Sequence, residues 1–348
     1  MRKSDIIDLI RAYTNNNRTD FVNKSMDIAS DFKNSGDIEL SNYIMALLSE
    51  NLNMVPQENT ASLSSFFTEI KESNQPLYLP KDITDDLLGI INSTKREKGL
   101  NKFLFIGKPG TGKTEAVKQL GQALRKTVLS VNFNTLIDSA LGQTNKNITS
   151  LFKEINTLYN PYNYIILFDE IDALALDRIN SNDIREMGRA TSTLLKCLDS
   201  LDDKILLIAT TNLYEQLDKA LVRRFDSVIS FDRYSVKDKI EIANNLVSYY
   251  QKENPIAKDE RLLSKIIQLT DKPSLTPGIL KNIIRTSIAF SALDDKTDYL
   301  KRIYEKLSDK KYTQDELKEK GFTIREIAIL TDTPKSTVSR QLKGENNE

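Results

Sequence analysis

A glycine-rich segment between an apolar run and a helical pattern restricts the fold of this chain more than any other feature. It reads GKPGTGKT at residues 107–114, after the apolar run KFLFI and before TEAVKQLGQALRK. Glycines let successive backbone N–H groups turn toward one anion, and the following helix adds its positive N-terminal end. In this context the pattern predicts a phosphate-binding loop at a strand-to-helix junction.

The loop offers particular atoms to a nucleotide. Lys113 is expected to reach the β- and γ-phosphates, and Thr114 is expected to place its hydroxyl on Mg²⁺. A nucleotide with Mg²⁺ is therefore the expected cofactor. The residues expected to surround the phosphates are Gly107, Pro109, Gly110, Thr111, Gly112, Lys113, Thr114 and Glu115.

Four further short apolar runs follow the loop, and helical segments separate most of them. These runs are TVLSVNF, YNYIILFDE, KILLIATTN and DSVISF. Near-continuous apolar strands that alternate with helices predict a parallel sheet buried on both faces. The expected fold class is therefore α/β, with the sheet domain over residues 76–233.

Helical periodicity without strand signals lies on either side of this region. A polar, proline-containing stretch, VPQENTASLSS, follows the N-terminal helical patterns and reads as a linker. After Ser235 only helical patterns return. The predicted domains are a helical N-terminal domain (1–70), the α/β domain (76–233), a helical lid (234–309) and a C-terminal tail (310–348).

Candidate hydrolytic residues stand at the ends of two of the apolar runs. Asp169 and Glu170 follow IILF, at the carboxyl edge where ligands bind in such sheets. Asp169 is expected to orient Mg²⁺ through water, and Glu170 to act as general base on the attacking water. Asn212 ends the run LLIATTN, where its amide could hold that water near the γ-phosphate.

Two adjacent arginines, Arg223 and Arg224, occur in KALVRRFD, far along the chain from the phosphate loop. At that distance they are expected to reach the nucleotide of a neighbouring subunit. An arginine supplied in this way accelerates hydrolysis by roughly 10³- to 10⁵-fold. The pair therefore predicts that hydrolysis depends on assembly.

These motifs, in this order and spacing, resemble the AAA+ ATPases and, within them, the AAA clade proper, over about residues 76–293. GKPGTGKT matches the family's Walker A loop, IILFDEIDAL its Walker B strand, IATTN its sensor 1 and LDKALVRRFD its arginine-finger segment. The resemblance implies ATP hydrolysis with Mg²⁺. It also implies a homo-oligomeric ring, usually of six subunits, in which the arginines act in trans.

The resemblance also has departures. Arg223 and Arg224 are adjacent, whereas the family's segment usually separates two arginines by Pro-Gly; Arg224 matches the arginine before Phe-Asp. Ala140 stands where threading members carry a pore-loop aromatic. An aromatic gives a large grip on an extended chain and alanine does not, so threading by aromatic side chains is not expected, although Leu141 offers a weaker contact. Lys281 or Arg285 corresponds to a weaker sensor 2.

The tail sequence GFTIREIAILTDTPKSTVSRQLKGE resembles a helix-turn-helix of the DNA-binding type. Asp332 stands at a left-handed turn position that Asp tolerates, and Pro334 suits the first turn of a new helix. The alternative is a helical hairpin that packs on the lid and touches no DNA. The residues expected to face a DNA groove are Lys335, Ser336, Thr337, Ser339 and Arg340.

Composition excludes several classes of protein. The 49 basic and 49 acidic side chains balance, which argues against sequence-blind coating of nucleic acid. The single cysteine rules out an internal disulfide, and the lack of histidine rules out a histidine metal site or a Ser-His-Asp triad. No apolar run approaches the ~18 residues of a membrane span. A cytoplasmic location is expected.

Two functions of different classes remain. The first is a ring-forming AAA ATPase that remodels a protein or a protein–DNA complex and recruits a protein partner through residues 1–70. The second is an ATP-switched DNA-binding regulator, or a mobile-element accessory protein, that recruits another enzyme. The helix-turn-helix pattern and Ala140 favour the second, and the N-terminal helices are neutral.

Overall fold

The computed structural model describes residues 3–14, 18–34, 65–71, 76–96, 99–136, 143–158, 160–174 and 184–344, together with isolated positions 37, 40, 41 and 44. The chain divides into two compact units, residues 1–64 and residues 65–348. The first contains helices α1 (Lys3–Thr14) and α2 (Arg18–Asn34). Both helices fall where the sequence predicts helical periodicity.

A six-stranded sheet organises the second unit. Its strands are β1 (Phe67–Ile70), β2 (Lys102–Ile106), β3 (Thr127–Val131), β4 (Tyr164–Phe168), β5 (Leu206–Thr211) and β6 (Ser227–Ser230). They lie in the order β1-β3-β4-β5-β2-β6, and every neighbouring pair is parallel except β1 with β3. The predicted α/β class with a parallel sheet is confirmed.

The antiparallel edge strand β1 is a feature that the sequence pattern does not reveal. Its residues fall inside the range predicted for the N-terminal domain, yet Phe67 pairs with Val131 and Ile70 with Val128 in the sheet. Of its four residues only Phe67 is buried. A short edge strand with one buried side chain has almost no apolar run to detect.

Helices cover both faces of the sheet, as buried parallel strands require. One face of the sheet packs its Phe and Ile side chains on two of these helices, where Ile83, Ile90, Val117 and Leu120 are buried. The helices of this domain are α3 (Lys81–Lys95), α4 (Lys113–Leu124), α5 (Phe133–Leu136), α6 (Gln143–Asn156), α7 (Ile184–Asp199) and α8 (Lys219–Val222).

The lid and the tail share one apolar core. Tail residues Phe322, Ile327 and Val338 belong to the same buried cluster as lid residues such as Ile266 and Ile303. The lid helices are α9 (Val236–Tyr250), α10 (Glu260–Thr270), α11 (Pro277–Ala289) and α12 (Asp298–Leu307), and the tail helices are α13 (Gln314–Glu319), α14 (Ile324–Thr331) and α15 (Lys335–Gly344).

Local sequence signals set the limits of the tail helices. Reciprocal capping boxes begin α13 at Thr313 and α14 at Thr323, each closed by a glutamate three residues later. Asp332 ends α14 with φ 52°, the left-handed conformation that the sequence predicts. Two helices joined by a short turn therefore lie where the sequence pattern places them, and they pack on the lid.

We expect Gly121→Ala to destabilise the chain. A Cβ at Gly121, on the buried face of α4, would lie 2.7 Å from the Cγ2 atom of Val128 and 3.0 Å from the backbone oxygen of Lys126. Overpacking of this kind costs about 1–3 kcal/mol. Urea unfolding measures the change.

The matched control is Gly89→Ala in α3. A Cβ there meets nothing within 4 Å, so the better helix propensity of alanine is expected to stabilise the protein by up to about 1 kcal/mol. Equal stability changes in the two variants would contradict the packing of α4 on β3.

Candidate functional site

The glycine-rich loop lies between β2 and α4, as the sequence predicts. Gly107, Gly110 and Gly112 have φ of 146°, 77° and 95°, which side chains rarely adopt. At Gly107 a Cβ would also meet Phe231 and Asp232 at 3.2 Å. Alternating backbone conformations of this kind form concave nests of N–H groups that bind anions.

The other predicted loop residues differ in their surroundings. The Thr111 side chain is buried and its hydroxyl donates to the Lys108 carbonyl at 2.8 Å, which braces the loop. Pro109 is exposed on the loop. Glu115 in the first turn of α4 pairs with Lys118 at 2.6 Å.

Lys113 holds the centre of the site. The residue is 7% exposed, and its Nζ donates to the Gly107 carbonyl at 2.6 Å, the Lys108 carbonyl at 3.0 Å and Asn212 Oδ1 at 2.7 Å. Burial lowers the pKa of Lys113, opposed by nearby carboxylates of which Asp232 is the strongest. An ammonium bound by three oxygens can exchange them for phosphate oxygens.

Asn212 links the Lys113 ammonium to the carboxylate pair, because its Nδ2 donates to Glu170 Oε1 at 3.2 Å. Lys113, Asn212 and Glu170 therefore form one chain of hydrogen bonds across the ends of β2, β4 and β5.

Asp169 lies beside the first turn of α4. The Thr114 hydroxyl donates to Asp169 Oδ1 at 2.9 Å, so the two predicted metal-binding side chains are in direct contact. Mg²⁺ usually takes only one or two protein carboxylates, and phosphate oxygens and waters complete its shell. These two hard oxygen donors fit that requirement. When bound there, Mg²⁺ would neutralise phosphate charge.

Clusters of metal-ligating side chains and membrane-spanning helices are absent from the part of the chain that the structure describes. No group of three or more Cys, Asp or Glu side chains there could hold a metal ion. None of the helices described is long and apolar enough to cross a bilayer.

Thr210 is a site residue that the sequence reading missed. Its side chain is fully buried in β5, and its hydroxyl donates to Asp169 Oδ1 at 2.7 Å while it accepts the Glu170 N–H at 2.9 Å. Glu170 has φ 54°, an unfavourable value for a residue with a side chain. One hydroxyl thus fixes both acids. The signal was present in IATTN, where a threonine stands two residues before the asparagine.

The arginine pair lies apart from this network. Arg224 is anchored on its own chain: its Nε and Nη2 donate to the Asp199 carboxylate at 3.1 and 3.2 Å, and its Nη1 donates to the Ala220 carbonyl at 2.9 Å. Arg223 is exposed. The structure does not bring either arginine to the hydrogen-bond chain around Lys113, and action on a neighbouring subunit stays a prediction.

The lid contacts the phosphate loop directly, which the sequence reading also missed. The Gly278 N–H donates to the Gly110 carbonyl at 2.7 Å, and the Tyr234 hydroxyl donates to the Thr111 carbonyl at 2.7 Å. A Cβ at Gly278 would lie 2.8 Å from the Gly110 oxygen. Burial raises the pKa of the Tyr234 phenol, which keeps it a donor.

The predictions for the pore loop and for sensor 2 stay predictions. Ala140 and Leu141 lie outside the described residues. The sensor 2 candidates lie on α11, where Lys281 is half-buried and Arg285 is exposed next to Asn282. Neither is part of the lid contact with the loop described above.

The last helix of the tail, α15, has an exposed face. Val338 is buried against the lid core, and Ser336 and Arg340 lie on the opposite side of α15, both exposed. Among the other predicted contacts, Lys335 is exposed and Thr337 and Ser339 are half-buried. Lys343, one turn beyond Arg340, is exposed as well and was not among the predicted residues.

The α/β domain is similar to domains of known proteins. The model of the family described as ATPase family associated with various cellular activities (AAA) matches residues 103–233. An uncharacterized AAA family ATPase of Sinorhizobium fredii is 37% identical over 155 residues, covering 42% of this chain and 46% of that protein. The 26S proteasome regulatory subunit 4 homolog B of Arabidopsis thaliana is 33% identical over 196 residues, covering 54% of this chain and 42% of that protein.

A solved structure supports the fold. The structure of C. elegans PCH-2 aligns with a TM-score of 0.54 at 20% identity, covering 66% of this chain and 71% of that chain. The chain spans less than half the length of each of the two curated relatives. The similarity therefore concerns the ATPase domain and its fold.

We expect Thr210→Val to weaken the site through its two acids. Valine keeps the shape of threonine but removes the hydroxyl that binds Asp169 and the Glu170 N–H. The turnover number is expected to fall by at least about 10-fold, with a higher Mg²⁺ concentration for half-maximal activity, because positioned acids lose their geometry. Steady-state ATP hydrolysis across a Mg²⁺ titration measures both.

Two further variants separate positioning from general stability. Thr210→Ser keeps the hydroxyl and is expected to restore most of the activity. Thr211→Val alters the neighbouring buried threonine, whose hydroxyl accepts the Leu213 N–H instead, and is expected to leave the Mg²⁺ dependence unchanged. An unchanged Mg²⁺ dependence in Thr210→Val would contradict the role given to this hydroxyl.

Proposed function

We propose that residues 103–233 act as an ATPase domain like those of the AAA family they resemble, and that the chain hydrolyses ATP within a homo-oligomeric ring to remodel a protein or a protein–DNA complex. One observation carries the proposal: Lys113, Asn212 and Glu170 are joined in one hydrogen-bond chain next to the Thr114–Asp169 contact. These are the parts that phosphoryl transfer to water requires.

Binding begins at the loop. Lys113 exchanges the Gly107 and Lys108 carbonyls for the β- and γ-phosphates, and the N–H groups of the loop and the first turn of α4 bind the remaining phosphate oxygens. Thr114 and Asp169 would hold Mg²⁺ directly or through water. Charged phosphate oxygens then replace protein oxygens around the buried Lys113 ammonium, and this exchange favours nucleotide binding.

Hydrolysis uses the residues at the strand ends. Glu170 accepts the proton of the attacking water, and the Asn212 amide holds that water in line with the γ-phosphate. In the structure the Asn212 amide binds Glu170 itself. A water between these two side chains would keep both bonded and place the nucleophile at the end of β5.

The arginines complete the site of the next subunit. Arg223 is exposed and Arg224 is held at the end of α8 by Asp199, so both arginines are presented at the surface of their own subunit. A head-to-tail ring, proposed here as a hexamer, would place this surface on the neighbour's nucleotide. Charge on the transferring phosphoryl group would be stabilised by that contact.

We expect mixed subunits to recover activity that neither variant has alone. Glu170→Gln lacks the base and is expected to lose about 10²- to 10⁴-fold in rate, while Arg224→Ala lacks the finger and still binds ATP. In a random one-to-one mixture roughly a quarter of the interfaces combine an intact Glu170 with an intact Arg224. ATP hydrolysis of the mixture measures this recovery.

The control is Arg223→Ala mixed with Glu170→Gln, which shows whether the exposed arginine has the same role. Nucleotide binding by each single variant is measured alongside. A mixture no more active than its components would refute action in trans, and a Glu170→Gln variant with the wild-type rate would refute the assignment of the base.

The N-terminal unit is proposed to recruit a protein partner. In α1, Ile7 and Ile10 are three residues apart and each is more than half exposed, which gives one face of the helix an apolar surface. Threading of a polypeptide by an aromatic pore-loop side chain is not part of the proposal, because alanine stands at position 140. A cytoplasmic location is proposed from the single cysteine and the absence of a span among the described helices.

A second function is favoured by a specific observation on the tail. We propose that the chain also binds duplex DNA through α15, because Lys335, Ser336, Arg340 and Lys343 are exposed on a helix that follows a turn of helix-turn-helix form. ATP would then switch assembly on DNA. The excess of three positive charges in residues 310–343 is small, so tight binding requires several copies, as in a ring.

We expect Arg340→Ala/Lys343→Ala to weaken duplex binding. Each removed phosphate contact reduces the magnitude of the slope of log K against log salt concentration by about 1. Fluorescence anisotropy with a labelled duplex at several salt concentrations measures this. Deleting the tail is a poorer test, since Phe322, Ile327 and Val338 belong to the lid core and their loss would uncover it.

The charge-matched control is Lys252→Ala/Lys296→Ala, which removes two exposed lysines of the lid. DNA binding in this control is expected to equal that of the wild type. Equal weakening in the two double variants would mean that α15 has no special role.

A further inference from the structure

We propose that the tail and the lid move as one body, so that nucleotide in the phosphate loop changes the affinity of the chain for duplex DNA. The proposal rests on the DNA binding proposed above for α15, and it adds the route by which the ATPase site controls it. The route has two joints, one between the tail and the lid and one between the lid and the loop.

The first joint is a continuous apolar core. Leu317 and Phe322 of the tail, and Ile327 of α14, are buried in the cluster that includes Leu300 and Ile303 of α12. Close packing of this kind does not deform gradually. A displacement of the lid therefore carries α14 with it, and α15 follows because Val338 lies in the same cluster.

A buried ion pair fixes the orientation of this joint. Lys265 of α10 donates to Glu326 Oε2 at 2.6 Å and to the Gly321 carbonyl at 2.7 Å. The Glu326 side chain is only 7% exposed, and it also closes the capping box of α14 with Thr323. Lid and tail are thus joined at the residue that begins the first helix of the helix-turn-helix.

A second pair lies at the other end of the same helix. Lys301 of α12 donates to the side chain of Asp332 at 2.9 Å. Asp332 is the left-handed residue that ends α14 and leads into α15. Lysines of the lid therefore contact both ends of α14, and the Glu326 end carries most of the restraint because the Asp332 side chain is 80% exposed.

The second joint is the contact between lid and loop. Gly278 donates to the Gly110 carbonyl, Tyr234 donates to the Thr111 carbonyl, and the Lys108 ammonium donates to the Pro273 carbonyl at 3.3 Å. These bonds involve the same loop that binds phosphate. No side chain fits between Gly110 and Gly278, so a shift of the loop must move the lid.

Lys113 supplies the event that shifts the loop. Its ammonium binds the carbonyls of Gly107 and Lys108. Phosphate would compete for that ammonium and free these two carbonyls, which lie in the same loop as the Gly110 and Thr111 carbonyls that the lid binds. A ligand shifts an equilibrium by its differential affinity for two states, and here the two states differ in the bonds of Lys113.

Thermodynamic linkage makes the effect measurable from either side. If ADP changes the affinity for DNA, then DNA changes the affinity for ADP by the same factor, typically about 5- to 150-fold for coupled sites. The experiment measures binding of a labelled duplex of about 30 base pairs by anisotropy, without nucleotide, with ADP and with ATP. Binding of fluorescent ADP is measured with and without the same duplex.

Three variants of the full chain locate the coupling. Lys113→Ala is expected to bind the duplex with the same affinity without nucleotide, with ADP and with ATP. Lys265→Met/Glu326→Gln removes both charges of the joint, while glutamine keeps the capping box. This double variant is expected to bind both DNA and ADP, but ADP is expected to change its DNA affinity by less than half of the wild-type factor. Lys258→Met, which removes a lid lysine paired with Glu260, is the matched control and is expected to keep the full factor.

The outcomes separate the two proposals. Duplex bound with one affinity in every nucleotide condition overturns the coupling and leaves DNA binding standing. Duplex not bound in any condition overturns both. A coupling factor in Lys265→Met/Glu326→Gln equal to that of the wild type and of Lys258→Met overturns the route through the lid–tail joint.

Discussion

The site depends on a buried ammonium that is bound by oxygen atoms of its own chain. Lys113 draws together the carbonyls of the loop and the amide of Asn212, and through that amide it reaches Glu170. Removing a charge from water is costly unless several partners replace the solvent. The ammonium therefore organises the loop and the strand ends around it.

The sheet gives these bonds their geometry. Parallel strands bring Asp169 and Glu170 at the end of β4 next to Asn212 at the end of β5, although these residues are more than 40 positions apart in the chain. Thr210 then ties the two acids from within β5. Buried strands leave little freedom for such side chains, so the order of the strands determines the arrangement of the site.

Sequence alone predicted the parts that depend on local patterns. The apolar runs located five of the six strands, and the glycine pattern located the loop, because burial and backbone freedom leave direct traces in composition. β1, Thr210 and the contact of Gly278 with Gly110 were not predicted. Each is a relation between distant segments, and in each the residue type is ordinary for its place.

The contact between Gly110 and Gly278 has a consequence for how this chain can evolve. The bond joins two backbone groups, so it does not depend on which side chains surround it. A side chain at either glycine would break it, because there is no space for a Cβ between them. The tail, in contrast, is attached through side chains that can be exchanged. Mutations can therefore change the segment that is attached to the lid, while the two glycines keep the lid connected to the phosphate loop.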